Sequence, residues 1–183
     1  MRVRSTTALL VTVAACCWGC DGWRVYQATR CVNAGAELRR QGRLVEALAE
    51  YQRASELEPE LAAAHLGAAD MHLALGQNAQ AIRSYRRVLE IAQDYEIALY
   101  SLGLAYVRLG RRTEAEGCFR RILTRNPAQA AAHLQLGLIV ADRDASEGRF
   151  HLRRALTLCR DCVLGTPEAV RVLSSLGASG TPR

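Results

Sequence analysis

Residues 75–85 read LGQNAQAIRSY, and the same pattern stands at residues 41–51 (QGRLVEALAEY) and 109–119 (LGRRTEAEGCF). Each copy lies 34 residues from the next, so Gly42, Gly76 and Gly110 align, as do Ala47, Ala81 and Ala115. Tyr51, Tyr85 and Phe119 keep the same spacing, Leu57, Ile91 and Arg125 keep it more loosely, and Pro59 and Pro127 are 68 residues apart. Self-similarity at a fixed period of this size marks a repeat architecture, in which each unit is one supersecondary element.

The chemistry of each position says what the unit is. The glycine ends a helix where a left-handed residue is needed, since glycine alone takes that conformation at no steric cost. The alanine five residues later suits a crossing of two helices, and the aromatic four residues on lies one turn along the same face. Proline after the second helix stops it. Each helix is about 13 residues, or about 20 Å, long. One pair cannot bury its apolar face alone, so neighbouring pairs must stack to make a core.

The pattern resembles the tetratricopeptide repeat. The small residue that this family keeps on its first helix appears as Gly35, Ala69 and Gly103, with Gly137 in a fourth copy, and its Leu-Gly pair as Leu102-Gly103 and Leu136-Gly137. Leu38, His72, Tyr106 and Val140 match the large residue three positions on. Cys31, His65, Leu99 and His133 stand where the family usually has Trp, and the fourth copy has Asp142-Arg143-Asp144 in place of the turn glycine. There one residue is missing, after which Gly148, Leu152 and Ala155 fit the second helix. The resemblance implies an all-α fold, a right-handed superhelical solenoid of antiparallel helix pairs. Repeats are expected at 28–61, 62–95, 96–129 and, degenerate, 130–162, followed at 163–183 by a capping helix and tail. Thr166-Pro167-Glu168 starts that helix with an N-cap and a proline at the first helical position.

In this family the first helices line a concave groove. The resemblance places Val32, Ala36, Arg39 and Arg40 there from the first repeat, and Leu66, Asp70 and Leu73 from the second. The third repeat contributes Ile97, Tyr100, Leu104, Val107 and Arg108, and the fourth Leu134, Leu138 and Asp142. That is an apolar floor with arginines at one margin, suited to an extended or helical segment of a partner protein. Relatives that clamp the carboxylate of chaperone tails use Lys and Asn at fixed groove positions. Val32, Ala36, Gly67, Ile97 and Ser101 stand at those positions, so no such clamp is expected.

Composition narrows the function further. Half of the 183 residues are apolar and only 5% aromatic, and Ala and Leu dominate, which favours helices. The net charge is +6, and all 24 basic residues are Arg. They are spread along the chain among acidic residues, not gathered with aromatics, so nucleic acid is not expected as a partner. Arg53, Arg87, Arg121 and Arg154 recur once per repeat on the outer face of the second helix. They are either a solvated helix face or a ladder for acidic partners or anionic headgroups.

The N-terminus carries an address. Arg2 and Arg4 precede an uncharged, mostly apolar run of 11 residues, from Ser5 to Ala15. Its length fits the core of a secretory signal and falls short of the about 20 residues of a membrane span. Val13-Ala14-Ala15-Cys16 resembles the bacterial lipobox. That resemblance implies a signal peptide at 1–15, a diacylglyceryl group on Cys16, and a lipidated N-terminus with linker at 16–27. Cys17, in place of Asp, resembles outer-membrane sorting in Gram-negative bacteria. The alternatives are plain secretion, an uncleaved anchor, or no signal at all.

Seven cysteines leave at least one outside an intrachain disulfide. Cys159 and Cys162 form a CxxC that closes the last repeat as a local disulfide, or else serves redox or metal chemistry. Cys17 and Cys20 form a second CxxC, but the two would lie at opposite ends of the solenoid, which argues against one shared metal. The four histidines form no HExxH, and no phosphate loop or nucleophile elbow is present. No cofactor and no catalysis is expected. The leading expectation is a non-catalytic protein-interaction scaffold, anchored by lipid in the bacterial envelope and facing the periplasm, which supports assembly of pilus, secretion or peptidoglycan machinery. Its rivals are a redox or metal protein using the CxxC cysteines, and a soluble cytosolic adaptor.

Overall fold

A computed structural model describes the backbone of residues 6–178 and the side chains of residues 22–175. It divides into two compact units, which meet in sequence between Ile91 and Ala92. The first holds α1 (Thr6–Arg40), α2 (Leu44–Leu57), α3 (Ala62–Ala74) and α4 (Asn78–Ile91). The second holds α5 (Glu96–Arg108), α6 (Arg112–Arg125), α7 (Ala130–Val140), α8 (Ala145–Leu158), α9 (Arg160–Leu164) and α10 (Pro167–Ala178). Among the described residues there is no strand, and the helices pack as consecutive pairs, α1 on α2, α3 on α4, α5 on α6 and α7 on α8.

Three of these pairs turn in the same way. Gly42, Gly76 and Gly110 have φ of 76°, 74° and 70°, the left-handed region in which a β-carbon would be strained. Arg43, Gln77 and Arg111 then donate their backbone N–H to the carbonyls of Leu38, His72 and Tyr106 at 2.9, 2.8 and 2.9 Å. The glycines themselves donate to Arg39, Leu73 and Val107 at 3.0, 3.2 and 3.0 Å. This is the Schellman arrangement, which satisfies carbonyls that the helix end would leave open. The fourth turn lacks the glycine and solves the problem from the other side. Asp144 caps α8, its Oδ1 accepting from the N–H of Ser146 at 2.9 Å and of Glu147 at 3.0 Å.

Inside each pair the repeated residues are buried. Ala47, Ala81 and Ala115 have no exposure, and Tyr51, Tyr85 and Phe119 fill the space beside them. Two of the rings, Tyr51 and Phe119, lie on helix backbone at glycines. A β-carbon on Gly67 would stand 2.3 Å from the Tyr51 ring, and one on Gly103 would stand 2.6 Å from the Phe119 ring. In the fourth pair Leu152 takes the place of the ring against Gly137, and Gly148 that of the crossing alanine, against Ala141. The missing residue therefore shifts the register without opening the pair.

Two stretches differ from the sequence expectation. Residues 17–27, read as a linker, lie within α1, which runs without a break to Arg40. Thr166 stands at the N-cap position of α10, its carbonyl accepting from the Val170 N–H at 3.2 Å, but its hydroxyl donates to the Cys162 carbonyl at 2.9 Å rather than capping the helix. A short helix, α9, had no counterpart in the sequence reading. It follows Cys159, which is disulfide-bonded to Cys162. Among the described residues no helix is long and apolar enough to cross a membrane.

Candidate functional site

The residues expected to line a groove fall on first helices, and each unit presents its own share. In the first unit, Val32 is half-buried and packs into the cores beneath α1 and α2. Ala36, Leu66 and Leu73 are also half-buried, so each keeps part of its surface. Asp70 is shared: it accepts from the Tyr85 hydroxyl at 2.6 Å and lies 3.8 Å from the Arg39 guanidinium. Arg40 pairs with Glu37, one turn back on α1. The polar margin of this face is thus partly occupied within the chain.

In the second unit the face on α5 is more open. Ile97 is 59% exposed and Val107 37% exposed, both large apolar side chains facing water. Leu104 is half-buried and Arg108 exposed. Tyr100 leans edge-on against Phe119, with ring centroids 5.7 Å apart and planes at 66°. Burial raises the pKa of its phenol, and a hydrogen bond with Gln135 opposes that rise. Beside it lies a shallow pocket of about 210 Å³ lined by Glu96, Ile97, Tyr100, Gln129 and Ala131. Gln129 donates to the Glu96 carboxylate at 2.6 Å across this pocket. An apolar floor with an amide and a carboxylate at its rim can seat an apolar side chain and bond the peptide that carries it.

The fourth repeat adds little to this face. Leu134 is 7% exposed and belongs to a core with Leu152, Ala155, Val163 and Ala169, against which Leu138 also packs. Val163 and Ala169 come from α9 and α10, so the C-terminal helices help to bury Leu134, whereas Leu138 is half-buried and keeps part of its surface. Asp142 instead pairs with Arg112 of α6 at 2.6 Å. Glu96, Gln129 and Ala131 were missed because the groove positions were carried over from the family pattern, which assigns none to these three.

Other candidates resolve into structure. His65 and His133 occupy equivalent positions, and each contacts a proline carbonyl through Nε2, that of Pro59 at 2.9 Å and of Pro127 at 3.0 Å. Arg87 pairs with Glu60 and Glu90, and Arg121 with Asp94, so two rungs of the arginine ladder tie a second helix to acidic neighbours. Cys31 and Cys118 are buried, and burial, before the nearby Glu50, pushes the Cys31 thiol up. Among the described residues no group of three or more His, Cys, Asp and Glu gathers as a metal site. Cys16, read as the lipidation site, falls among residues whose side chains lie outside those described.

Comparison with known proteins fits this geometry. A family model described as TPR repeat matches residues 69–110, and one described as tetratricopeptide repeat matches residues 100–158. No curated protein matches the sequence. Among solved structures, the chain is similar to MamA 41-end from Desulfovibrio magneticus RS-1, with a TM-score of 0.74 at 19% identity over 84% of this chain and 85% of that one. It is similar to YrrB, titled a TPR protein with an unusual peptide-binding site, with a TM-score of 0.70 at 21% identity over 81% and 75%. The first TPR of Spaghetti (RPAP3), bound to HSP90 peptide SRMEEVD, aligns with a TM-score of 0.60 at 21% identity over 64% and 95%. At these identities the likeness is one of fold. The repeat models, the glycine turns and the helix pairs agree that residues 69–158 are built of tetratricopeptide repeats.

Proposed function

We propose that the chain is a non-catalytic scaffold that holds an extended segment of a partner protein on the exposed face of α5, at the pocket it forms with the start of α7. The observation that carries this reading is the open pocket at Ile97 and Tyr100. It leaves large apolar surface in water on a face from which the repeat's own packing residues are absent. YrrB and the RPAP3 domain are titled for peptide binding, which supports peptide capture as a use of this fold. The rim of Glu96 and Gln129 suits a segment whose backbone N–H groups and apolar side chains alternate.

The proposal includes an anchor. The signal-like N-terminus and Val13-Ala14-Ala15-Cys16 support a lipid on Cys16, and attachment to the bacterial envelope on the periplasmic side. A disulfide between Cys159 and Cys162 fits an oxidising compartment. The partner is then a component of an envelope assembly. In cells, Ile97→Glu should abolish co-purification of that partner, because a charge in the pocket would be desolvated without a counter-ion. Val45→Glu, at a position 67% exposed on α2, should leave it unchanged. Loss of capture by both variants, or by neither, contradicts the site. Cys16→Ser should abolish incorporation of labelled palmitate and leave the signal segment uncleaved. Palmitate incorporation and cleavage that survive the substitution contradict the anchor.

A further inference from the structure

The first helix is two-faced before it meets the rest of the first unit. Ala28, Cys31 and Gly35 point inward and are buried. On the opposite side Trp23 is 61% exposed and Tyr26 54% exposed, two aromatic side chains that the fold leaves in water. They stack with ring centroids 5.6 Å apart, and the Arg30 guanidinium lies 6.0 Å from the centre of the Tyr26 ring. Positions 23, 26 and 30 recur at three and four residues, so they form one stripe along the helix. Arg24, on the inner side, donates to the carbonyl of Leu57 at 3.2 and 2.9 Å. Leu57 is the last residue of α2, so Trp23 stands past the end of the helix on which α1 packs. The stripe ends at Asn33 and at Glu37, whose carboxylate is bonded to Arg40 and Gln41.

We propose that Trp23, Tyr26 and Arg30 form an interfacial face by which α1 rests on the headgroup layer of the phospholipid membrane. The inference depends on the reading of Cys16 as the lipidated residue. Trp23 follows Cys16 by seven residues, about 10 Å of helix, and Arg30 by fourteen, about 21 Å. A chain tethered at Cys16 keeps this stripe within reach of the membrane surface. Trp and Tyr rings are apolar bodies with one polar edge, and they collect where hydrocarbon gives way to water. Arg30 supplies a charge for lipid phosphate, with its stem lying along apolar surface. The contact would fix how α1 leaves the membrane, which acyl chains on a single residue cannot do.

The test uses the full lipidated protein carrying Trp18→Phe, so that Trp23 is its one tryptophan. It is reconstituted in vesicles of phosphatidylethanolamine and phosphatidylglycerol. The inference predicts blue-shifted emission, protection from aqueous acrylamide, and stronger quenching by a label at the headgroup than by one at the bilayer centre. In the Cys16→Ser protein, Arg30→Gln should weaken partitioning onto the same vesicles about fivefold. Emission as open to acrylamide in vesicles as in the Cys16→Ser protein in buffer overturns the inference. Shielding that appears only when a partner protein is added also overturns it. The mass of the purified protein separates the two layers. A missing diacylglyceryl group removes the anchor and this contact together, whereas a lipidated Cys16 with an exposed Trp23 removes the contact alone.

Discussion

Gly103 and Gly117 are both helical glycines of the second unit, and their surroundings assign them opposite values. A methyl group on Gly103 would stand 2.6 Å from the Phe119 ring, which is itself fully buried and unable to withdraw. A methyl group on Gly117 meets nothing within 4 Å. Alanine gains about 1 kcal/mol over glycine in a helix interior, and overpacking a core costs about 1–3 kcal/mol. Gly117→Ala is therefore expected to stabilise the chain by up to about 1 kcal/mol, and Gly103→Ala to destabilise it by up to about 2 kcal/mol net, both read from urea unfolding. Equal shifts in one direction would contradict the packing account. The repeat spacing made Gly103 and Gly137 legible as small residues. It did not make Gly67 legible, because that glycine matters only through the ring of Tyr51, which is sixteen residues away.

The α7–α8 pair carries a buried polar pair that the repeat does not explain. His133 and His151 are 6% and 7% exposed, and their Nδ1 atoms lie 2.8 Å apart. Because Nε2 of His133 must donate to the Pro127 carbonyl, its Nδ1 accepts, and Nδ1 of His151 donates. Burial is the main cause that lowers the pKa of His151, followed by His133; Glu147 works against them and Arg120 with them. An unfolded histidine takes its proton near pH 6.5, whereas folded His151 resists until lower pH. The contribution of this group is thus complete above pH 6.5 and is lost as pH falls below it. The Tm should drop between pH 7 and pH 5, and His151→Gln should flatten that drop. A Tm profile unchanged by the substitution would contradict this role. The helices themselves were readable from the period of 34, and α3, α5 and α7 begin at Ala62, Glu96 and Ala130. What covers Leu134 was not readable, since repeat position says nothing of a later, non-repeating element. A five-residue helix such as α9 is also too short to show a period.

The chain as a whole combines an inert frame with a few surfaces that the frame does not use. Glycines, alanines and rings hold the pairs, and most acidic groups near the arginines are engaged by them. The C-terminal helices close the second unit over Leu134 and Leu152. Removing residues 163–183 should uncover that cluster, seen as a lower Tm and new binding of a hydrophobic dye. A truncated chain with unchanged Tm and no dye binding would show that α10 does not close the core. The proposed function then rests on the pocket on α5 and on the N-terminal segment. The sequence could propose the second as an address, and could reach the first only as an analogy of position. The measurement that bears most directly on the scaffold claim is photo-crosslinking in living cells from a reactive residue placed at Ile97, compared with one at Val45. The account predicts a defined protein adduct from position 97, absent from position 45 and lost on Tyr100→Ala. No adduct at position 97, or the same adduct from both positions, would contradict it.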